Sequence, residues 1–136
     1  MDKSMDDLGI EFSFRIEHPK EDLMLAAEKL GIEPFRIWVA GAQRETPTGL
    51  KLDGRYDRSY CCLRPKLEKG LYAAQAIEKF LSEVEKHNDY WAELASSGGS
   101  FMIVIFNESD ERYVDEFDWS LLKRLSKLEI SLGFDC

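Results

Sequence analysis

The chain has 136 residues, 44% hydrophobic and 12% aromatic, which is enough for one domain with a core and too few for two ordinary domains. Its net charge of -8 argues against a nucleic-acid-binding protein. The acidic N-terminus predicts no secretory leader, and no apolar run approaches the roughly 20 residues of a membrane helix. We therefore expect a single cytoplasmic domain over residues 1–136, with residues 1–8 as a flexible lead.

The first half of the chain predicts a strand, a helix, a strand, a loop and a strand. In "GIEFSFRIE" apolar and polar residues alternate, which indicates a half-buried strand. "HPKEDLMLAAEKLG" predicts a helix that starts with Pro19 in its first turn and ends at Gly31, and "EPFRIWVAG" predicts a second strand. Residues 41–56 contain Pro47, Gly49 and Gly54 and have no periodicity, so we expect a long loop there. The third strand is "DRSYCCLR", which ends before Pro65.

The second half predicts a long helix, a central strand, a short helix and a last strand. Apolar residues recur at helical spacing from Leu71 to Ala95, and "SSGGS" then ends the helix. "FMIVIF" is apolar on both faces, which is typical of a central strand covered on both sides. "DWSLLKRLSKL" predicts a helix with Asp118 as its N-cap, and "LEISLGFDC" predicts the last strand.

The resulting element order is βαββαβαβ. This order favours an α+β fold, with a single mixed five-stranded sheet and helices packed on it. The first six elements follow the order of ferredoxin-like folds.

The adjacent cysteines Cys61 and Cys62 lie in the third strand, where successive side chains point to opposite faces. They therefore cannot both bind one metal ion, and the CxxC spacing of a zinc half-site is missing. We expect reduced structural thiols, and structural roles for His18 and His87 as well. The chain also lacks a phosphate-binding loop, a calcium loop and a catalytic signature, so we predict no metal, no cofactor and no catalytic residue.

Residues 36–69 form a basic segment in this acidic chain, because eight lysines and arginines there oppose four acids. Alternation in the second predicted strand puts Phe35, Ile37 and Val39 toward the helices. The same alternation in the second and third strands puts these side chains on the other sheet face: Arg36, Trp38, Arg58, Tyr60, Cys62 and Arg64. Arginine together with aromatic residues is typical of binding hot spots and anion sites. The predicted binding residues are Arg36, Trp38, Arg44, Arg58, Tyr60 and Arg64.

Trp38 is expected beside Tyr60 on that second face. A tryptophan there needs cover from the 41–56 loop, from a second subunit of a homodimer or from a ligand, because large exposed apolar patches are uncommon. The alternative to a binding site is plain cross-strand stacking of arginine on aromatic rings under the loop.

Six acidic residues crowd the connection before the last helix: Glu108, Asp110, Glu111, Asp115, Glu116 and Asp118. We expect a solvated loop. The alternative is a docking surface for a basic protein partner, through charge complementarity.

Two segments, "LGIEPFRIWVAG" and "LLKRLSKLEISLGFD", carry a family resemblance. The chain resembles the bacterial domain-of-unknown-function 4279 family from about Gly9 to Asp135. The resemblance implies a small cytosolic bacterial protein, and it brings no established activity, cofactor or catalytic residue.

Two classes of function fit these observations. The first is a non-catalytic binding or regulatory module, of the immunity or adaptor kind, with a basic protein partner. The second is a protein that binds a small anionic ligand, or an unrecognised enzyme, through the arginine and aromatic face.

Overall fold

The computed structural model describes residues 10–68, 70–110 and 112–135, so the lead expected at residues 1–8 lies outside the described residues. The strands are β1 (Ile10–His18), β2 (Arg36–Trp38), β3 (Gln43–Glu45), β4 (Lys51–Arg55), β5 (Ser59–Leu63), β6 (Ser100–Asn107) and β7 (Ile130–Asp135). The α-helices are α1 (Met24–Leu30), α2 (Ala73–Val84), α3 (Asn88–Ser96) and α4 (Trp119–Lys127), and a 3-10 turn (Glu85–His87) joins α2 to α3. No helix in the described part of the chain is long and apolar enough to cross a membrane.

Five strands form one sheet in the order β2-β5-β1-β6-β7, and β3 pairs with β4 in a separate hairpin. β6 and β7 are parallel, whereas the other neighbours in the large sheet are antiparallel. The predicted α+β fold with a mixed five-stranded sheet is therefore confirmed. β5 lies between β1 and β2, and β1 lies between β5 and β6, so the first two helical connections form interleaved split βαβ units.

The helices pack on one face of the large sheet, where they bury the apolar side chains of β1 as the alternation predicts. Phe12, Phe14 and Ile16 are all at most 1% exposed. The ring of Phe14 lies 5.4 Å from that of Phe80 in α2 and 5.8 Å from that of Trp91 in α3. α1 and α4 contribute further side chains to the same core cluster.

The opposite face of the sheet, here called the open face, carries no helix within the described residues. Met102 of β6 points to this face and is 42% exposed. The expectation that β6 is covered on both sides is therefore wrong at Met102, although Val104 on the same face is only 6% exposed. Long side chains on the open face partly cover its apolar surface. The Arg15 guanidinium, for example, lies 5.5 Å from the centroid of the Phe106 ring.

The single helix predicted from Leu71 to Ala95 is two helices. α2 ends at Val84, and His87, with φ of -126° and ψ of 36°, interrupts the helical backbone before α3. The indole N–H of Trp91 donates to the carbonyl oxygen of Val84 at 2.7 Å, so a side chain satisfies that carbonyl at the break. The apolar periodicity continues through the break because residues on both sides pack into the same core.

The loop predicted at residues 41–56 contains the β3–β4 hairpin. Its turn is closed by a hydrogen bond from the Thr46 amide to the Leu50 carbonyl at 2.8 Å, and Gly49 has a φ of 92°, which favours glycine. All five residues of β4 are exposed. A strand exposed on both sides has no apolar alternation, so its sequence resembles that of a loop.

His18 is fully buried at the end of β1 and has a structural role. Its Nδ1 accepts hydrogen bonds from the backbone amides of Lys20 (3.1 Å) and Glu21 (2.9 Å). The ring proton therefore resides on Nε2, which donates to the Ser97 hydroxyl at 2.8 Å. These bonds hold the chain after β1 in a turn, so α1 begins at Met24 rather than near Pro19.

Candidate functional site

The strand register brings arginines from two strands, β1 and β2, onto the open face on either side of β5. Cys62 of β5 pairs with Arg15 of β1 on one side and with Arg36 of β2 on the other. Because directly paired residues point to the same face, these three side chains form one row across the sheet. The next row contains Trp38, Tyr60 and Glu17.

These rows enclose a concavity of about 360 Å³, here called the arginine cradle. Its lining residues are Arg15, Phe35, Arg36, Trp38, Tyr60, Cys62 and Arg64. Cys62 is only 3% exposed and lies at the bottom of the concavity, between the longer side chains. Four of the six predicted binding residues therefore lie together, and whether they bind a ligand stays a prediction.

Phe35 was expected in the core, and that expectation is wrong. Its side chain is 61% exposed, and the guanidinium of Arg64 lies 3.7 Å from its ring centroid. β2 begins only at Arg36, so the strand alternation does not extend to the preceding residue. Ile37, by contrast, packs against the core as predicted.

The cradle arginines make no ion pair with any described carboxylate. Arg64 makes ring contacts, with Phe106 as its second ring at 5.3 Å, and Arg15 donates from Nε to the Ser13 hydroxyl at 3.2 Å. The ion pairs among the described residues use other cations: Lys51, Lys79, Lys86 and Arg124. The cradle therefore concentrates positive charge that the described part of the chain does not neutralise locally.

Arg36 connects the cradle to the β3–β4 hairpin. Its Nη2 donates to the Glu45 carbonyl at 2.8 Å and reaches the Tyr56 hydroxyl at 3.5 Å. The Glu45 amide in turn donates to the Tyr56 oxygen at 3.1 Å. This amide, and to a lesser degree Arg36, lowers the pKa of the Tyr56 phenol. The hairpin is thus anchored to the sheet beside the cradle.

Trp38 is sandwiched between two tyrosines. Its ring centroid lies 4.5 Å from that of Tyr56 and 4.5 Å from that of Tyr60, and both pairs are stacked. The indole N–H donates to the Arg58 carbonyl at 2.9 Å. Both ring faces and the N–H are therefore occupied by the protein. Of the three kinds of cover considered for Trp38, the 41–56 segment provides it through Tyr56.

The two cysteines face opposite sides of the sheet, as predicted for a strand. Both thiols are free and buried. Burial, and secondarily the neighbouring Cys62, raises the pKa of the Cys61 thiol to about 12. On the cradle side, burial and then Cys62 raise the pKa of Tyr60 to about 12, so its phenol is protonated at neutral pH. Within the described residues, no group of three histidine, cysteine or acidic side chains could hold a metal ion.

Two predicted binding residues, Arg44 and Arg58, do not line the cradle. Arg44 lies on the hairpin, where its Nη1 is 3.4 Å from the Asp53 carbonyl, and Arg58 donates to the Gly98 carbonyl at 3.3 Å. Conversely, sequence reasoning missed Arg15 and Tyr56. The alternation of β1 does put Arg15 on its polar side, but only the strand order shows that β1 lies next to β5.

Part of the acidic connection has a structural function. Asp115 Oδ2 accepts hydrogen bonds from the Ala74 amide at 2.9 Å and from the Tyr113 hydroxyl at 2.6 Å. Asp118 is the N-cap of α4, as predicted, and accepts from the Leu121 amide at 2.9 Å, which lowers the pKa of the Asp118 carboxyl. The expectation of a merely solvated loop is therefore wrong for Asp115, whereas the N-cap role of Asp118 is confirmed. Glu111 lies outside the described residues.

The family described as domain of unknown function (DUF4279) has a model that matches residues 6–136. The chain belongs to this family. No curated protein and no solved structure matches the chain. In this DUF4279 member, the arginine cradle on the open face is the candidate functional site.

Proposed function

We propose that this DUF4279 protein is a non-catalytic binding module that holds a small anionic ligand in the arginine cradle. One observation carries the proposal: three guanidinium groups line a single concavity without a carboxylate partner among the described residues. Neighbouring like charges repel one another, so an anion that enters the cradle gains attraction from all three. Guanidinium groups also present paired N–H donors that match carboxylate and phosphate oxygens.

The other cradle side chains fit binding better than catalysis. Tyr60, with its pKa raised to about 12, remains a hydrogen-bond donor at neutral pH rather than a base. Cys62 lies on the floor and is only 3% exposed, and no histidine stands among the lining residues to act as its general base. Trp38 fixes the hairpin and leaves no free ring face for a ligand. The Phe35 ring, stacked under Arg64, instead holds that guanidinium in place.

We also propose that the protein works in the bacterial cytoplasm. Its buried thiols, Cys61 and Cys62, are adjacent and unbridged, which suits a reducing compartment. A homodimer whose two-fold axis passes through the cradle is disfavoured by the same charges, because each arginine cluster would then lie against its copy.

A basic protein partner at the acidic connection is the second candidate. Glu108, Asp110 and Glu116 are exposed there, and none forms an ion pair with another described residue. Such a partner would bind the module through long-range charge attraction, with association rates that fall as salt rises.

The proposal is tested by NMR titration of the isotope-labelled protein with inorganic phosphate and with acetate at low ionic strength. We expect the largest amide shift changes around the cradle, in β1, β2 and β5. Arg64→Gln removes an exposed cation that makes only ring contacts with described residues, so the fold should persist. Loss of one charge-assisted contact of about 1.5 kcal/mol should weaken binding roughly tenfold.

Arg44→Gln is the matched control, because it removes the same charge from the hairpin outside the cradle. Its affinity for both anions should equal that of the unmodified protein. Two results would refute the proposal. One is an equal loss of anion affinity in Arg64→Gln and Arg44→Gln, which would mean that only the overall charge of the protein attracts the anion. The other is amide shift changes that occur away from the cradle.

A further inference from the structure

A second concavity, of about 260 Å³, adjoins the arginine cradle on the open face. It shares Arg15 and Tyr60 with the cradle, and it adds the carboxylate of Glu17 and the hydroxyls of Ser100 and Ser131. The two concavities therefore form a continuous surface with a positive end and a negative end. We infer that the ligand is a small linear zwitterion, with its anionic group in the cradle and an ammonium group at Glu17. This inference rests on the proposed function.

The opposite charges on β1 do not neutralise each other. Ser13, Arg15 and Glu17 lie at alternate positions of β1 and point to the same face. Arg15 Nε donates to the Ser13 hydroxyl at 3.2 Å, and its guanidinium lies 5.5 Å from the Phe106 ring. The arginine is thus turned along the strand away from Glu17. The carboxylate of Glu17 is exposed and has no ion pair among the described residues.

The sheet geometry sets the length of the ligand. Residues two apart on a strand are separated by about 7 Å, so the Cα atoms of Arg15 and Glu17 are that far apart. Arg36 lies two strands from β1, which adds roughly 10 Å across the sheet. An α-amino acid, with both charges on one carbon, is too short to reach both ends. A zwitterion with several methylene groups between its charges is long enough, and its chain can lie against Met102 and Tyr60.

The test compares three simple probes in the same NMR titration: ε-aminocaproate, caproate and β-alanine. Caproate has the same chain and carboxylate as ε-aminocaproate but no ammonium, and β-alanine has both charges at a shorter distance. An exposed ion pair contributes modestly, so we expect ε-aminocaproate to bind on the order of threefold more tightly than caproate. β-Alanine should bind no more tightly than caproate.

Glu17→Gln should abolish this preference and leave the affinity for caproate unchanged or higher. Glu11→Gln is the matched control, because Glu11 lies on the same side of the same strand at its other end. In Glu11→Gln the affinity for ε-aminocaproate should still exceed that for caproate by the same factor, even if both affinities change.

The outcomes separate the inference from the proposal on which it rests. Equal binding of caproate and ε-aminocaproate would overturn the zwitterion and leave the anion site intact. A preference that persists in Glu17→Gln would also overturn it, because the ammonium would then bind elsewhere. If phosphate, acetate and all three probes fail to shift the cradle amides, the proposed function fails with the inference.

Discussion

The rings of Trp38 and Tyr56 stack with their centroids 4.5 Å apart and their planes at 8°. This contact joins β2, an edge strand of the large sheet, to the end of the β3–β4 hairpin, which forms a separate sheet. The hairpin consists largely of exposed residues, so it depends on this stack and on the neighbouring Arg36 hydrogen bonds for its position.

Trp38→Ala should release the hairpin while the five-stranded sheet remains folded. Losing two stacked aromatic contacts should lower the free energy of unfolding by about 2 kcal/mol, as measured by urea denaturation. Hydrogen exchange should show hairpin amides that lose protection while those of β1 and β6 keep it. Trp38→Phe, which keeps an aromatic ring, should retain most of the protection. Undisturbed hairpin amides in the alanine variant would show that other contacts position the hairpin.

Asp115→Ala should destabilise the protein more than any neighbouring acidic substitution. It removes the acceptor of the Ala74 amide at the start of α2 and of the half-buried Tyr113 hydroxyl, at a cost of about 1–2 kcal/mol. The exposed residues Glu108 and Glu116 supply controls, and their alanine variants should stay within about 0.5 kcal/mol of the unmodified protein. Thermal or urea unfolding of the three variants measures the difference. Similar values for all three would mean that Asp115 is only a surface charge.

The contribution of Asp118 should depend on pH. The Leu121 amide lowers the pKa of this carboxyl in the folded protein, so ionised Asp118 stabilises the fold above the carboxyl's unfolded pKa of about 3.9. That stability is lost as the pH falls through the lower folded pKa. The difference in unfolding free energy between the unmodified protein and Asp118→Ala should therefore be largest at neutral pH and shrink in acid. A difference that does not change with pH would contradict a charge-dependent cap.

Cys61 should resist alkylation in the folded protein. Burial raises its thiol pKa to about 12, so almost no thiolate exists at mildly alkaline pH, and the side chain is inaccessible. Iodoacetamide treatment followed by peptide mass spectrometry should find Cys61 modified only after denaturant is added. Rapid modification without denaturant, at a rate that matches a free thiol in a peptide, would show that β5 opens readily.

The sequence by itself determined which face of β1 is buried and which helix is capped by Asp118. Alternation in β1 placed Phe12 and Phe14 against the helices, and the adjacent cysteines had to point to opposite sides once they lay on a strand. These properties depend on the chemistry of residues close together in the chain. The composition of the basic segment also indicated an arginine-rich surface, although two of the residues chosen, Arg44 and Arg58, lie outside the cradle.

The tertiary structure alone decided which strands are neighbours. Alternation assigns a side chain to a face and says nothing about the strand beside it, so the row formed by Arg15, Cys62 and Arg36 could not be predicted. The hairpin was missed for a related reason, because strands exposed on both sides carry no apolar period. Trp38 acquired its role in the same way. Its parity put it on the open face, and its position beside Tyr60 is as expected, but Tyr56 on its other ring face comes from a hairpin whose position depends on packing between distant parts of the chain.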